Sequence, residues 1–385
     1  MEITPPPCLN KPLKFPNKLL MGPGPSNCSP RVLHALSLPI LGHMHTETFQ
    51  IMDEIKEGIK YIFQTKNELT LAISAAGHGG MEAVLCNLVE PGDKVLVAVN
   101  GLWGMRAIRM AENYGAVVSQ IATSLGNNYS LGQLETAILS EKPDLLFVVQ
   151  GESSTGVYQP LESLGKICHK YNCLLAVDTV ASLGAVPFFM DKWEVDAVYT
   201  GSQKVLSAPP GITPISFSKR AQTKIFQRKS RPSVYYFDMN VVGEQWGCVG
   251  TVRTYHHTVS SSLLCGLREA LAIICEEGIE NSMKRHKECT MRLHDGLKRL
   301  GLEFFVGDPE ARLPTVTSIK IPEGVDWKKI TTTAMNTYNL EIGGGLGPTA
   351  GLIGRVGIMG YNAQPENIDF LLSVLQKLLK DKCKL

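Results

Sequence analysis

Asp178 closes an apolar run, CLLAVD, and Lys204 follows a second, VDAVYT, after the short link Gly201-Ser202-Gln203. A carboxylate at the end of a buried strand is costly unless something cationic meets it. Three more strand-like runs lead into residues of chemical use. LTLAISA runs into Ala76-Gly77-His78-Gly79-Gly80, KVLVAV into Asn100-Gly101-Leu102-Trp103, and LLFVVQ into Gly151-Glu152-Ser153-Ser154. In open α/β sheets ligands bind beyond the carboxyl ends of the strands. Five such ends offer one crevice a glycine loop, an indole plate, hydroxyls, a carboxylate and an amine.

That set suits pyridoxal phosphate. An amine can condense with the cofactor's aldehyde, and a carboxylate can keep its pyridine nitrogen protonated so that the ring draws electrons. A carboxylate and a pyridinium about 4 Å apart attract by about 4 kcal/mol at an effective dielectric of ~20, roughly three pKa units. Backbone amides at a helix N-terminus can take the phosphate. The glycine loop is not a dinucleotide fingerprint, because the third glycine position of G-x-G-x-x-G falls on Glu82 and the following strand ends in Asn100. A Walker lysine is missing too. A nicotinamide oxidoreductase is thereby set aside.

The elements that position these residues follow from periodicity. Phe49, Met52, Ile55, Ile59 and Ile62 recur at helical spacing, with charges on the other faces. Ser130 and Gln133 form a capping box ahead of a helix ending near Glu141. Continuous apolar strands alternating with helices predict an α/β fold, a mostly parallel sheet covered on both faces. The glycines at 77–80 are expected as a loop before a helix carrying Met81, Val84 and Leu88. After a helix near 263–277 the pattern shifts to a basic amphipathic stretch at 281–300, strands LEFFV and TVTSIKIP, a helix near 327–338, a glycine-rich segment, strand RVGIMG and a last helix. This reads as an extended arm over 1–20, a large domain over 21–275 and a smaller α+β domain over 276–385.

Composition narrows the function. The chain has 385 residues, a net charge of +2, 44% hydrophobic and 19% charged residues, which describes an ordinary globular protein with no basic footprint for nucleic acid. No apolar run is long enough to span a bilayer, and the proline-rich start lacks the apolar region of a secretory signal. Ten cysteines without a CxxC pair do not form a zinc pattern and read as reduced core thiols. The alternating histidines of His43-Met44-His45 lack an evident third ligand, so no metal is expected.

Taken together, KLLMGPGPSN, ESSTGVYQPL, VDTVASLGAVPFFMDKWEVDAVYTGSQK, YHHT and GGLGPTAG…RVGIMG resemble the alanine–glyoxylate/serine–pyruvate aminotransferases, a branch of the class V, fold-type-I pyridoxal-phosphate enzymes. The resemblance covers nearly the whole chain. It implies that Lys204 is the Schiff-base lysine, that Asp178 partners the pyridine nitrogen, that Trp103 stacks on the ring and that Gln203 binds the cofactor. Gly77 and His78 match the phosphate loop, where Ala76 replaces a serine that some members carry. Ser153 helps position substrate or the cofactor's 3-oxygen, and Arg355 grips the substrate carboxylate with a planar fork. Tyr255 and Thr258 are implied to reach the phosphate of a second subunit, so a homodimer is expected, with the arm draped over the partner.

Gly42, opening the segment LGHMHTE, matches family members that act on alanine and glyoxylate. Related insect enzymes that transaminate 3-hydroxykynurenine read serine-asparagine-phenylalanine across 42–44. The expected reaction is therefore transfer of an amino group from L-alanine to glyoxylate, with serine–pyruvate or 3-hydroxykynurenine transamination as alternatives. A cysteine desulfurase shares the fold type but needs a reactive cysteine on a mobile loop, and Cys248, Cys265 and Cys289 sit in no Gly/Ser-rich segment. The last three residues, Cys383-Lys384-Leu385, match the small–basic–leucine form of a peroxisomal address. Peroxisomal localisation through an import receptor is the expectation, or a cytoplasmic protein if that address is unused.

Overall fold

The computed structural model of the protein describes residues 3–380, so the tail Cys383–Leu385 lies outside the described residues. A seven-stranded sheet forms the centre, in the order Thr70–Ile73, Thr213–Phe217, Ala197–Tyr199, Leu174–Asp178, Leu145–Val149, Lys94–Val99, Val117–Ala122. Only Thr213–Phe217 runs against its neighbours; the other strands point the same way. All residues of Thr70–Ile73, Leu145–Val149, Ala197–Tyr199 and Thr213–Phe217 are buried, which is why these strands carry no polar alternation.

The helix Thr46–Phe63 buries Met52, Ile55, Ile59 and Ile62 on the predicted stripe. The capping box of Ser130 and Gln133 opens the helix Leu131–Glu141. The glycine stretch differs from expectation. Gly77 is itself the first residue of the helix Gly77–Leu88, with Ala76 at its N-cap. Glycine is needed there for close approach, since a Cβ on Gly79 would stand 2.3 Å from that of Ala75 and one on Gly80 2.7 Å from the Tyr199 ring.

The large core packs around the central sheet and draws on residues from Met52 to Ile274. A second core combines Met21 with Leu293, Leu297, Ile319, Val356 and Leu371. Helices Ile279–Arg299 and Pro365–Lys380 cover the strands Val316–Lys320 and Ile353–Gly357 there. LEFFV is not a strand: only Phe304 bridges, to Ile319, before the chain bends toward Pro309, which has no amide to continue a ladder. Residues 3–18 are exposed, whereas Leu19–Leu20 pairs in parallel with Leu340–Glu341 and so leaves the arm for the fold. The nine cysteines among the described residues are free thiols. Among those residues no helix is long and apolar enough to cross a membrane.

Candidate active site

A cleft of about 540 Å³ opens at the carboxyl ends of the parallel strands. Gly77, His78, Trp103, Ser153, Asp178, Gln203 and Lys204 line it, with Ala76, Met81, Gly151, Val180 and Ala181 completing the walls. Each of the five strand ends singled out in the sequence delivers its residue to this one cavity. The spacing has a simple cause. Parallel strands end at one edge of the sheet, and the short links after Ile73, Val99, Val149 and Tyr199 turn back over that edge.

Asp178 is the last residue of its strand and is buried. Its Oδ1 accepts the Val180 amide at 2.8 Å and its Oδ2 accepts the Tyr199 hydroxyl at 2.5 Å. Burial pushes this carboxyl up to about 6, against the pull of those two hydrogen bonds and of Lys204. Tyr199 stands beside Asp178 in the sheet register. Nothing in the sequence marked this tyrosine as more than a core residue.

Lys204 points its amine at the Pro23 carbonyl, its hydrogen-bond acceptor in the protein. Burial is the main influence on that amine and lowers it to about 8; the nearby Arg355 cation adds to the effect, while Asp178 and Glu341 oppose it. Gly24, at φ +103°, passes so close that a Cβ there would lie 2.2 Å from Lys204 Nζ. The Gly22–Asn27 turn is thus built against the amine, and both its left-handed backbone and its lack of a side chain are required.

Trp103 donates its indole N–H to Ser153 Oγ at 2.9 Å. The His78 ring meets it edge-on, with centroids 5.2 Å apart. His78 accepts a hydrogen bond from Arg106 through Nε2, and burial, followed by the Arg106 charge, pulls its pKa down. A neutral imidazole can accept that bond, and a protonated one could not. Arg355 is buried in the strand Ile353–Gly357, donating Nε–H to the Gly344 carbonyl at 2.7 Å and Nη1–H to the Ser153 carbonyl at 2.9 Å. Its Nη2 has no protein acceptor among the described residues and is left for another group. Burial lowers Arg355 to about 10, with Glu152 opposing, so it is a cation at neutral pH.

Three observations fit this cavity to pyridoxal phosphate. Gln203 Oε1 is buried with no hydrogen-bond partner. The amides of Gly77 and His78, first in their helix, have no acceptor within it and carry the positive end of its dipole. Asp178 is a buried carboxylate with hydrogen bonds but no ion pair of its own.

The remaining candidates lie elsewhere in the chain. Gly42, Tyr255 and Thr258 do not line the cleft. Tyr255 is 55% exposed, packs its ring 4.8 Å from that of His43 and lies 3.2 Å from Thr258 through the two hydroxyls. Gly42 accepts the Thr48 hydroxyl through its carbonyl, and a Cβ on it would strike the His45 ring at 2.5 Å. Substrate segment and phosphate hydroxyls therefore form one cluster, set apart from the chain's own cleft.

Comparison with known proteins accords with this geometry. The family model for aminotransferase class-V matches residues 33–365. An alanine–glyoxylate aminotransferase of Drosophila melanogaster is 56% identical over 381 residues, covering 99% of this chain and 97% of the relative. One of Rattus norvegicus is 51% identical over 378 residues, covering 98% and 91%. The crystal structure of an alanine–glyoxylate aminotransferase from Nostoc sp. superposes with a TM-score of 0.94 at 44% identity, covering 96% of this chain and 97% of that one. The chain belongs to the class-V aminotransferases, enzymes that work with pyridoxal phosphate.

Proposed function

We propose that the protein moves the amino group of L-alanine to glyoxylate, giving pyruvate and glycine. The observation that carries this reading is a complete amine–carboxylate–indole–arginine cleft in a chain matched along nearly its full length by relatives named for that reaction. Bound in the cleft, pyridoxal phosphate supplies an aldehyde that takes up the amino group and a protonated ring that accepts the electron pair left on the substrate α-carbon.

The chain's own residues do the rest. Lys204 Nζ holds the cofactor and then carries a proton to and from the substrate α-carbon. Asp178 holds the proton on the ring nitrogen, and Tyr199 and Val180 hold Asp178. The Gly77 and His78 amides take the phosphate, Trp103 covers the ring, and Gln203 and Ser153 reach polar atoms at its edge. Arg355 grips the carboxylate that amino donor and keto acceptor share, using the nitrogen its backbone partners leave free. No cysteine lines the cleft, which speaks against desulfurase chemistry.

A matrix of alanine, serine and 3-hydroxykynurenine against glyoxylate, pyruvate and 2-oxoglutarate tests the assignment. Alanine with glyoxylate should show the highest kcat/KM, with parallel double-reciprocal lines, because one substrate leaves before the next binds. A higher value for another pair would overturn the substrate assignment.

The Lys204 amine predicts a pH dependence for cofactor capture. Only a neutral amine attacks an aldehyde, and a lysine lowered to about 8 gains its neutral form as pH rises through that value. Mixing cofactor-free protein with pyridoxal phosphate should give a visible band whose rate of appearance climbs about tenfold per unit below pH 8 and levels off above it. A flat rate between pH 7 and 9 would mean that the amine is already neutral.

A homodimer completes this reading. The exposed Tyr255, its neighbour Thr258 and the Gly42 segment are surplus to the chain's own cleft and are suited to serve a partner's phosphate and substrate. Apolar residues of the arm, Ile3, Leu13 and Phe15, are 92%, 86% and 77% exposed and offer material for the same contact. An active monomer in sedimentation would contradict it. The tail Cys383-Lys384-Leu385 supports peroxisomal targeting through an import receptor. A fluorescent fusion with a free C-terminus should form peroxisomal puncta that disperse when those three residues are removed.

A further inference from the structure

Glu152 is a charged residue that the proposed chemistry leaves unused, and it is fully buried beside the cleft. It ends the two-residue strand Gly151–Glu152, which pairs with Val157–Tyr158 across a tight turn. Its carboxylate has no cationic hydrogen-bond partner. Instead, Oε2 accepts the Trp103 amide at 3.0 Å, and Oε1 accepts both the Ser154 amide at 3.0 Å and the Ser154 hydroxyl at 2.6 Å. The Ser154 oxygen in turn accepts the Leu102 amide at 2.9 Å.

Leu102 and Trp103 open the helix Leu102–Asn113, whose N-cap is Gly101 and has no side chain to cap it. The two orphan amides of that first turn are therefore capped from another segment, and the carboxylate sits at the positive end of the helix. Gly101 has to be glycine for this to work, since a Cβ there would stand 2.4 Å from Glu152 Cγ and Cδ.

The same turn has a second attachment. Ser153 Oγ holds the Trp103 indole, the Ser153 carbonyl holds Arg355 Nη1, and the Ser154 carbonyl accepts the Thr349 hydroxyl at 2.8 Å. Ring plate and carboxylate fork thus hang from one tetrapeptide whose geometry is fixed by the Glu152 carboxylate. Every hydrogen bond to that carboxylate comes from a donor, so both oxygens must act as acceptors. An amide in its place would aim an NH2 group at the Trp103 N–H or at the Ser154 N–H, and either orientation puts donor against donor.

The geometry points to Glu152 as a positioning residue: it caps the Trp103 helix from across the chain and so sets Trp103 and Arg355 relative to one another. It acts through those two residues and touches neither cofactor nor substrate. The inference rests on the reading that Trp103 covers the ring and Arg355 binds the substrate carboxylate.

The test uses Glu152→Gln, with Trp103→Ala and Arg355→Lys as references. Direct titration of cofactor-free protein with pyridoxal phosphate, followed by tryptophan fluorescence, should show Kd raised about tenfold to a hundredfold in Glu152→Gln, the effect of one charge-assisted hydrogen bond lost in a buried place. The Glu152→Gln effect on Kd should largely vanish in a Trp103→Ala background, because the cap then has no plate to position. In the loaded enzyme the KM values of alanine and glyoxylate should rise together, as they should in Arg355→Lys. Where Glu152→Gln yields no folded protein, Ser154→Ala, which removes only the bridging hydroxyl, should raise Kd and both KM values severalfold.

Kd and both KM values within twofold of wild type in Glu152→Gln, or in Ser154→Ala if only that variant folds, would overturn the inference. So would a Glu152→Gln effect of full size in the Trp103→Ala background. If Trp103→Ala itself binds the cofactor as wild type does, or Arg355→Lys leaves both KM values unchanged, the underlying reading fails and takes this inference with it.

Discussion

Lys204→Ala is expected to stop transamination, with turnover lowered by at least about three to four orders of magnitude, while the protein still folds and still binds pyridoxal phosphate. A positioned general base alone contributes about 10²–10⁴-fold, and this substitution also removes the cofactor's covalent tether. No other lysine lines the cleft, so no second amine can take over either task. Folding should survive because the amine is hydrogen-bonded to the Pro23 carbonyl and a buried cation brings a desolvation cost that alanine removes. Stopped-flow absorbance with alanine would check the loss of turnover. Borohydride treatment of the wild-type enzyme, followed by peptide mapping, should place the reduced cofactor on Lys204, and label on any other lysine would sink the assignment. Added small primary amines should restore part of the activity in Lys204→Ala, because the empty side-chain volume sits where a base is needed.

Much of this site could be read from residue types at strand ends. Asp178 and Lys204 were legible because an apolar strand fixes where its last residue points, and parallel strands share one edge. The alternation of strands and helices gave the α/β architecture for the same reason, since burial on both faces leaves a continuous apolar signature. What was not legible depends on contacts that have no local pattern. Pro23 and Gly24 meet Lys204 across 181 positions of chain, and neither local composition nor periodicity records such an approach. Tyr199 reads as a strand residue because its ring is buried, and only its hydroxyl at Asp178 reveals a task. The helix at Gly77 was misplaced because four residues with low helix propensity look like a loop, while packing against Tyr199 and Ala75 makes them the only ones that fit. Glu152 carried no signal at all: its partners, Trp103 and Ser154, become neighbours only once the sheet has formed. The short helices Lys219–Phe226 and Met239–Gln245 were silent in the same way, being too brief for a periodic stripe to stand out.

Asp178→Asn is expected to leave the fold intact and lower kcat by about three orders of magnitude. The size follows from the charge that is lost. A carboxylate about 4 Å from a protonated pyridine nitrogen stabilises it by about 4 kcal/mol at an effective dielectric of ~20, close to a thousandfold in rate if that protonated ring is needed only in the transition state. The fold should tolerate the change because asparagine keeps an oxygen for the Val180 amide, and the Tyr199 hydroxyl can turn from donor to acceptor for the new NH2 group. Loss of activity would then report chemistry rather than stability. A second measurement separates charge from shape. In the cofactor-free protein the Asp178 carboxyl is pushed up to about 6, so it is neutral below that pH and charged above it. Pyridoxal phosphate should therefore bind wild-type protein more weakly as pH falls through about 6, because a neutral carboxyl no longer favours a protonated ring nitrogen. Asp178→Asn has no proton to gain and should lack that step, leaving only the titration of the phosphate itself, which is common to both proteins. If the variant retains more than about a tenth of wild-type turnover, a loss below ~1.4 kcal/mol, or if its binding curve keeps the step at pH 6, then Asp178 does not hold the ring proton and its burial serves the sheet alone.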